Sequence, residues 1–359
     1  VDSNSVTTVE FQNGVAISDP LILTGGFSPT GAVTTQTDGK GVVSVEANTT
    51  TQNSFGIAGS GDLQIFRVTN NNTLNLGHDV SARNFEVNSG STVNQSAGTI
   101  SGSSGISIGG TFVQSGIGTI NALGSSFILL SHTGSLTVKN QGAGVIRGLY
   151  GGSGTLIFAG DYDTDAELGR GNYGLGSITV NDGITLSLDQ GVLTTNFDVG
   201  NGTSGIVNHS ASTLTATNLN INDGAAFNLS GAGVINATNI ALGTGSLFNI
   251  DQTGNTSINS TISGTGSLTK QGSGTTILSG ANTYSGTTTI NAGTLRASNA
   301  SALGNNTAVT VNGGSLDLTT DLSIGSLAGA GNVSLNANTL TTGGNDTSTT
   351  YSGVLSGTG

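Results

Sequence analysis

The chain has no cysteine, only two prolines (positions 20 and 29), and charged residues amount to just 8 % of its 359 residues. Without cysteine there is no disulfide framework, so a fold exported to an oxidising compartment must hold by its own core. Scarce proline and glycine without a three-residue period exclude a collagen helix. The thin charge, set against 34 % hydrophobic residues, excludes a highly charged disordered chain. Three lysines and five arginines are scattered singly within a net charge of −12. No cation cluster is present to displace phosphate counterions, so neither nucleic acid nor an anionic membrane surface is an expected partner. No apolar run approaches the ~20 residues of a spanning helix; the longest, Phe127-Ile128-Leu129-Leu130, is the size of a strand. No leader of charged, apolar and small residues opens the chain, which reads as a leader already removed or as an internal segment.

What the chain does have is glycine, 60 residues of it, and internal self-similarity. A β-branched residue followed by Asn-x-Gly recurs at Asn88, Asn181, Asn222, Asn291 and Asn312, at separations of 93, 41, 69 and 21. Divided by four, two, three and one, these give a common period of about 22 residues, within the range of solenoids. A second pattern, Gly-small-Gly before alternating apolar residues, appears at Gly59, Gly152, Gly243, Gly264, Gly272 and Gly329. Between the turns, segments such as Ser177-Ile178-Thr179-Val180 and Thr185-Leu186-Ser187-Leu188 alternate apolar with polar side chains. That is the period of a half-buried strand, and no stretch shows a helical period. The expected fold is all-β: a right-handed parallel β-helix (β-solenoid) of about 16 coils of ~22 residues.

Residues 1–58 show neither pattern cleanly and read as an irregular N-terminal or capping segment over an otherwise open strand edge, with the parallel β-helix covering 59–359. The eleven phenylalanines stop at Phe248, so an aliphatic core is expected beyond it. From 160 to 176 the pattern breaks into the densest charge cluster, Asp161 to Glu167 with Arg170, and reads as a loop excursion. Val354-Leu355-Ser356-Gly357-Thr358-Gly359 repeats the style of Thr261-Ile262-Ser263-Gly264-Thr265-Gly266, so the C-terminus reads as a processing or fragment boundary.

One stretch is more specific. Residues 264–304 contain, in order, Leu268-Thr269-Lys270, Gly272-Ser273-Gly274, Leu278-Ser279-Gly280, Asn282-Thr283-Tyr284-Ser285-Gly286 and Ile290-Asn291-Ala292-Gly293-Thr294-Leu295. This resembles the autotransporter-associated β-strand repeat in passenger domains of bacterial type V secreted proteins. The Asn- and Thr-rich middle is similar, in composition alone, to the rickettsial surface-antigen autotransporters. The resemblance implies a passenger carried across the outer membrane by a C-terminal β-barrel that lies outside this sequence. It also implies that the repeat assists export and folding, and that the chain is surface-displayed or secreted. A cysteine-free solenoid suits threading through a pore and propagating from one end.

The chemistry-bearing residues have plain alternatives. Asp161-x-Asp163-x-Asp165 has calcium-loop spacing, but Ala166 and Asn172 stand where Gly and a bidentate Glu are wanted, so a solvated acidic loop is the primary reading. Asp182 and Asp223, each in Asn-Asp-Gly, are turn residues first. On one corner two coils apart (~10 Å), they would sit at the outer limit for an inverting carboxylate pair. His78, His132 and His209 lie in unrelated contexts without a triad pattern. The Gly-x-Gly motifs are turns, because no helix follows them. No catalytic, cofactor or metal residue is therefore assigned, and no cofactor is expected. The expected function is an adhesin-like, virulence-associated scaffold whose partner is a host-cell surface protein, matrix or glycan. A polysaccharide-active enzyme and a passive spacer are the alternatives, with ice binding disfavoured by the lack of a regular Thr-x-Thr ladder.

Overall fold

The computed structural model describes residues 40–51, 54–56, 63–114, 119–122, 127–130, 135–138, 145–148, 154–160, 162–164, 167–169, 174–304 and 306–359, together with short strands at Val9–Phe11, Leu21–Leu23 and Val33–Thr35. Among the described residues there is no helix, and the strand pairs run parallel from coil to coil. The fold is a parallel β-solenoid of about 13 turns with coils of ~21 residues. The expected 16 coils is thus an overcount, because it divided the whole length by the period as though every residue belonged to a regular turn. The period itself was lengthened by a mixture of corners. Hydrogen bonds stack Gly200 on Val180, Asn222 on Val199, Gly243 on Ile221 and Thr265 on Leu242. Asn291 instead stacks on Lys270, and Asn312 on Ile290, at another corner. The 69-residue separation between Asn222 and Asn291 therefore spans two corners and is not a whole number of coils.

The chain divides into two compact units, Val1–Ile178 and Thr179–Gly359. In the first, one sheet stacks Leu21–Leu23, Lys40–Val45, Leu63–Val68, Val80–Val87, Thr99–Ile108, Phe127–Leu130 and Val145–Gly148. A second sheet takes the intervening strands, among them Thr73–Leu76, Thr92–Gln95 and Thr111–Gln114. The strands at 21–23 and 40–45 join this stack in register, Leu21 on Val43 and Val43 on Phe66. Of the 160–176 stretch, Tyr162–Thr164 forms a strand and Leu168 is buried, while Asp161, Asp165 and Arg170 lie outside the described residues.

Among its described residues the second unit has three larger sheets and a two-stranded one, Leu322–Ser323 with Leu340–Thr341. One contains Val192–Val199, Thr213–Ile221, Val234–Leu242 and Thr261–Gly264. Another runs from Thr185–Leu188 to Ser326–Gly329, and the third from Thr256–Ile258 to Leu355–Gly357.

Alternation along each strand drives one side chain in and the next out, and parallel register then places like upon like. Inside the first unit, the rings of Phe66 and Phe85 stack 5.5 Å apart and nearly parallel, with Phe112 edge-on to Phe85. Inside the second, Phe227 sits on Val207 and beneath Phe248, ring centroids 6.1 Å apart. Beyond Phe248 the column continues as Leu268 and Thr288, the apolar core is mainly Ile, Leu and Val, and Tyr284 is a fully buried aromatic among them. At the Asn-x-Gly corners, Gly90, Gly183, Gly224 and Gly293 adopt φ between 64° and 80°, where a Cβ is disfavoured.

Phe227→Ala removes a fully buried ring from this column. The expected loss is about 3–5 kcal/mol, read as a lower chemical-denaturation midpoint. Thr217→Ala, on the exposed face of Thr213–Ile221, is expected to change stability by less than about 0.5 kcal/mol.

Candidate functional site

The segment with the most specific sequence, 268–297, is also the most regularly alternating part of the solenoid. Leu268, Lys270, Thr276, Leu278, Asn282, Tyr284, Thr288, Ile290, Leu295 and Ala297 all point inward and are buried. Four of these ten are polar or ionisable, and Tyr284 adds a hydroxyl; Asn282, Lys270, Tyr284 and Thr288 are hydrogen-bonded, while Thr276 Oγ1 is buried without a partner. Asn282 shows how. Its Oδ1 accepts from the backbone N–H of Ile262 at 2.8 Å, and its Nδ2 donates to the carbonyl of Ala302 at 2.6 Å. One side chain thereby bridges the coil before and the coil after its own. The Tyr284 hydroxyl lies 2.7 Å from Thr288 Oγ1, and burial pushes its pKa up, so the phenol stays neutral. Lys270 is fully buried between Ile250 and Ile290, and its ammonium donates to the carbonyl of Gly272. Desolvation lowers its pKa, and the negative charge of Asp251 opposes the shift. Gly280 and Gly286 complete the stack, since a Cβ on either would collide with the carbonyl of Ser260 or Gly266 in the preceding coil.

The sequence motif displayed these residues without revealing that Asn282 and Lys270 face inward, because polar residues default to the surface. The signal was present in strict alternation: Leu268 and Lys270 occupy the same face of one short strand.

The other candidates are structural where they can be placed. Asp182 and Asp223 lie on one corner, with Asn201–Ser204 of the intervening coil between them. Asp182 Oδ1 accepts from the backbone N–H groups of Asn201, Thr203 and Ser204 at 2.8, 3.2 and 3.2 Å. Asp223 Oδ1 accepts from Thr244 N–H at 2.7 Å, and Asp79 and Asp321 repeat the contact with Thr99 and Thr339. These carboxylates cap the next coil's turn. His209 is fully buried on Leu188 and under Leu229, its ring beside Phe227 and its Nε2 3.1 Å from the carbonyl of Val234. Burial lowers its pKa, which marks a neutral core imidazole. His78 and Asp79 lie at a turn, whereas His132, Asp161 and Asp165 fall outside the described residues and Asp163 lies in the short strand Tyr162–Thr164. Among the described residues no three His, Asp or Glu side chains converge as metal ligands.

Three variants test these roles. Asn282→Ala strands a buried N–H and a buried C=O on two different coils, with an expected cost of about 2–4 kcal/mol, measured as a fall in thermal midpoint; Asn282→Asp is expected to recover none of the donor contact to Ala302. For Asp182, the backbone N–H groups, Asn201 and Ser204 foremost, hold the carboxyl below its ordinary value of 3.8. A lowered folded pKa gives stability that is present above the unfolded value and lost as pH falls through the folded one. The midpoint difference between wild type and Asp182→Ala should therefore be largest near neutrality and shrink as the pH drops below that ordinary value. A difference that stays constant into strong acid would contradict the capping role.

A family model described as the passenger-associated-transport-repeat matches residues 268–297. No curated protein and no solved structure matches the chain, so the compositional likeness to rickettsial antigens gains no support there. The matched stretch includes Asn282, whose buried amide joins successive coils, and over these residues the chain is similar to the passenger-associated-transport-repeat, a likeness that supports an autotransporter passenger domain.

Proposed function

We propose that this passenger is displayed on, or released from, the bacterial outer surface, and that it serves attachment to host cells, matrix or glycan without catalysing a reaction. The observation that carries the reading is the outward face of the second unit. Ser187, Asn208, Asn228, Asn249, Thr269, Thr289 and Thr310 fall in one register column, one per coil. Asn228 and Asn249 each donate to the Asn side chain of the coil before, at 2.8 and 2.7 Å, which fixes the amides in a ladder. Such a face offers many modest hydrogen bonds and no charge, the pattern of a contact surface rather than a reaction centre. Glycoside hydrolysis by paired carboxylates would need a free pair, and Asp182 and Asp223, which share a corner, are engaged in capping.

The expected result is that beads coated with the purified chain adhere to epithelial cells or matrix proteins, while uncoated beads do not. The reading would be reduced to a spacer if no cell type or matrix protein retained the beads. It would give way to a polysaccharide-active enzyme if incubation with a glycan panel generated new reducing ends.

A further inference from the structure

We propose that the first unit carries a binding groove for a neutral oligosaccharide on the outer face of Val80–Val87 and Thr99–Ile108. This inference rests on the attachment reading above and names a ligand class for it.

The groove arises from a local fault in the register. Gly102 pairs with Ala82, but Gly105 pairs with Asn84, so Ser103 and Ser104 oppose the single residue Arg83. This two-against-one arrangement is a β-bulge, a feature concentrated beside functional sites. It leaves Ser103 and Ser104 exposed. The next outward position is Gly105, which has no side chain to fill the space it leaves. The result is a hollow of about 180 Å³, walled by Asn84, Glu86, Ser104 and Ser107 over Phe85 and Ile106. A second, wider hollow of about 580 Å³ continues from Ser107 toward the corner, where Asn70, Asn71, Asn88 and Ser89 line it. Asn70 and Asn71 are both held at φ 59°, so the turn that presents their amides has a defined shape. From Asn84 to Val87 the strip runs along the strand for about 10 Å and then meets the turn at Asn88 and Ser89, room for a short oligosaccharide.

The chemistry of the lining selects the occupant. Amides and hydroxyls both donate and accept, as sugar hydroxyls do. Glu86 supplies one acceptor with charge, and its register neighbour Arg67 extends its Nε toward Ser44 Oγ at 3.4 Å. No Lys or Arg lines either hollow to hold phosphate or sulfate groups. A peptide strand would bind by adding to a sheet edge, but both strands are interior to their sheet and, outside the bulge at Ser103 and Ser104, are in register with neighbouring coils. Side chains must therefore do the recognising.

The test uses the purified chain against a panel of neutral hexose and N-acetylhexosamine oligomers. At least one is expected to bind with Kd below about 1 mM. Ser107→Tyr, which fills the junction of the two hollows, and Asn84→Ala, which removes an amide without adding bulk, should each weaken that binding by about tenfold. Thr217→Tyr, on the second unit, should leave it unchanged, and unaltered dichroism should accompany all three. The proposal is overturned if no neutral oligomer binds at that concentration, if both groove variants bind as wild type does, or if the groove variants abolish capture of a peptide instead. Beads that adhere to cells equally well with and without the groove substitutions would sink the groove and leave the attachment reading standing. Sugar binding without any cell adhesion would do the reverse.

Discussion

Everything in this fold depends on parallel coil-to-coil pairing, in which each residue lies about 4.8 Å above its counterpart one turn earlier. That constraint has no regard for chemistry, so the sequence must make each column tolerable to itself. Inside, phenylalanine stacks on phenylalanine at Phe66–Phe85 and Phe227–Phe248. Outside, asparagine stacks on asparagine, Asn196, Asn218 and Asn239 forming one ladder and Asn208, Asn228 and Asn249 another. At the corners an Asp or Asn side chain accepts the N–H groups of the next turn. Charge is scarce because like charges in register would repel at every coil; where two charged residues do share a column, as Arg296 and Asp317 do, they are of opposite sign and 2.7 Å apart.

The same constraint explains how a chain without disulfides can bury polar groups. A lone coil would leave Asn282 facing a void on both sides; stacked, its amide joins three turns. Lys270 is a costlier guest. Its burial between two isoleucines favours the neutral amine, so its contribution to stability is full above the ordinary lysine range and lost as pH falls toward its lowered folded value. Donation to the Gly272 carbonyl offsets part of that cost.

Fold class and turn chemistry were legible in the sequence because alternation and Asn-x-Gly are local signals. The length of a coil was legible only where the counted motifs shared a corner: the Asn181–Asn222 separation of 41 residues and the Asn291–Asn312 separation of 21 both return about 21 residues per turn. Motif chemistry names a kind of turn and leaves open which corner it occupies, so the 69-residue gap misled. The site was less legible still. Asn282 and Lys270 were visible as motif letters, but their inward direction follows from strand parity, against the usual preference of polar side chains for water. The groove at Gly105 was not legible at all, since a bulge exists only as a mismatch between two strands, and no single strand records it.

The matched repeat therefore differs in kind from the coils before it. A phenylalanine column gains stability in proportion to buried area and tolerates small shifts of one coil over another. An amide that must meet Ile262 N–H on one side and Ala302 C=O on the other tolerates almost none, because each missed contact strands a buried polar group. The repeat at 268–297 thus acts as a register lock. It adds less hydrophobic area than the Phe-bearing coils, yet it forbids slipped pairings that an aliphatic column alone would accept. A solenoid of near-identical turns, in which slipped stacking is the most accessible misfold, gains most from such a lock when it lies within the array, where coils on both sides are held to the same alignment.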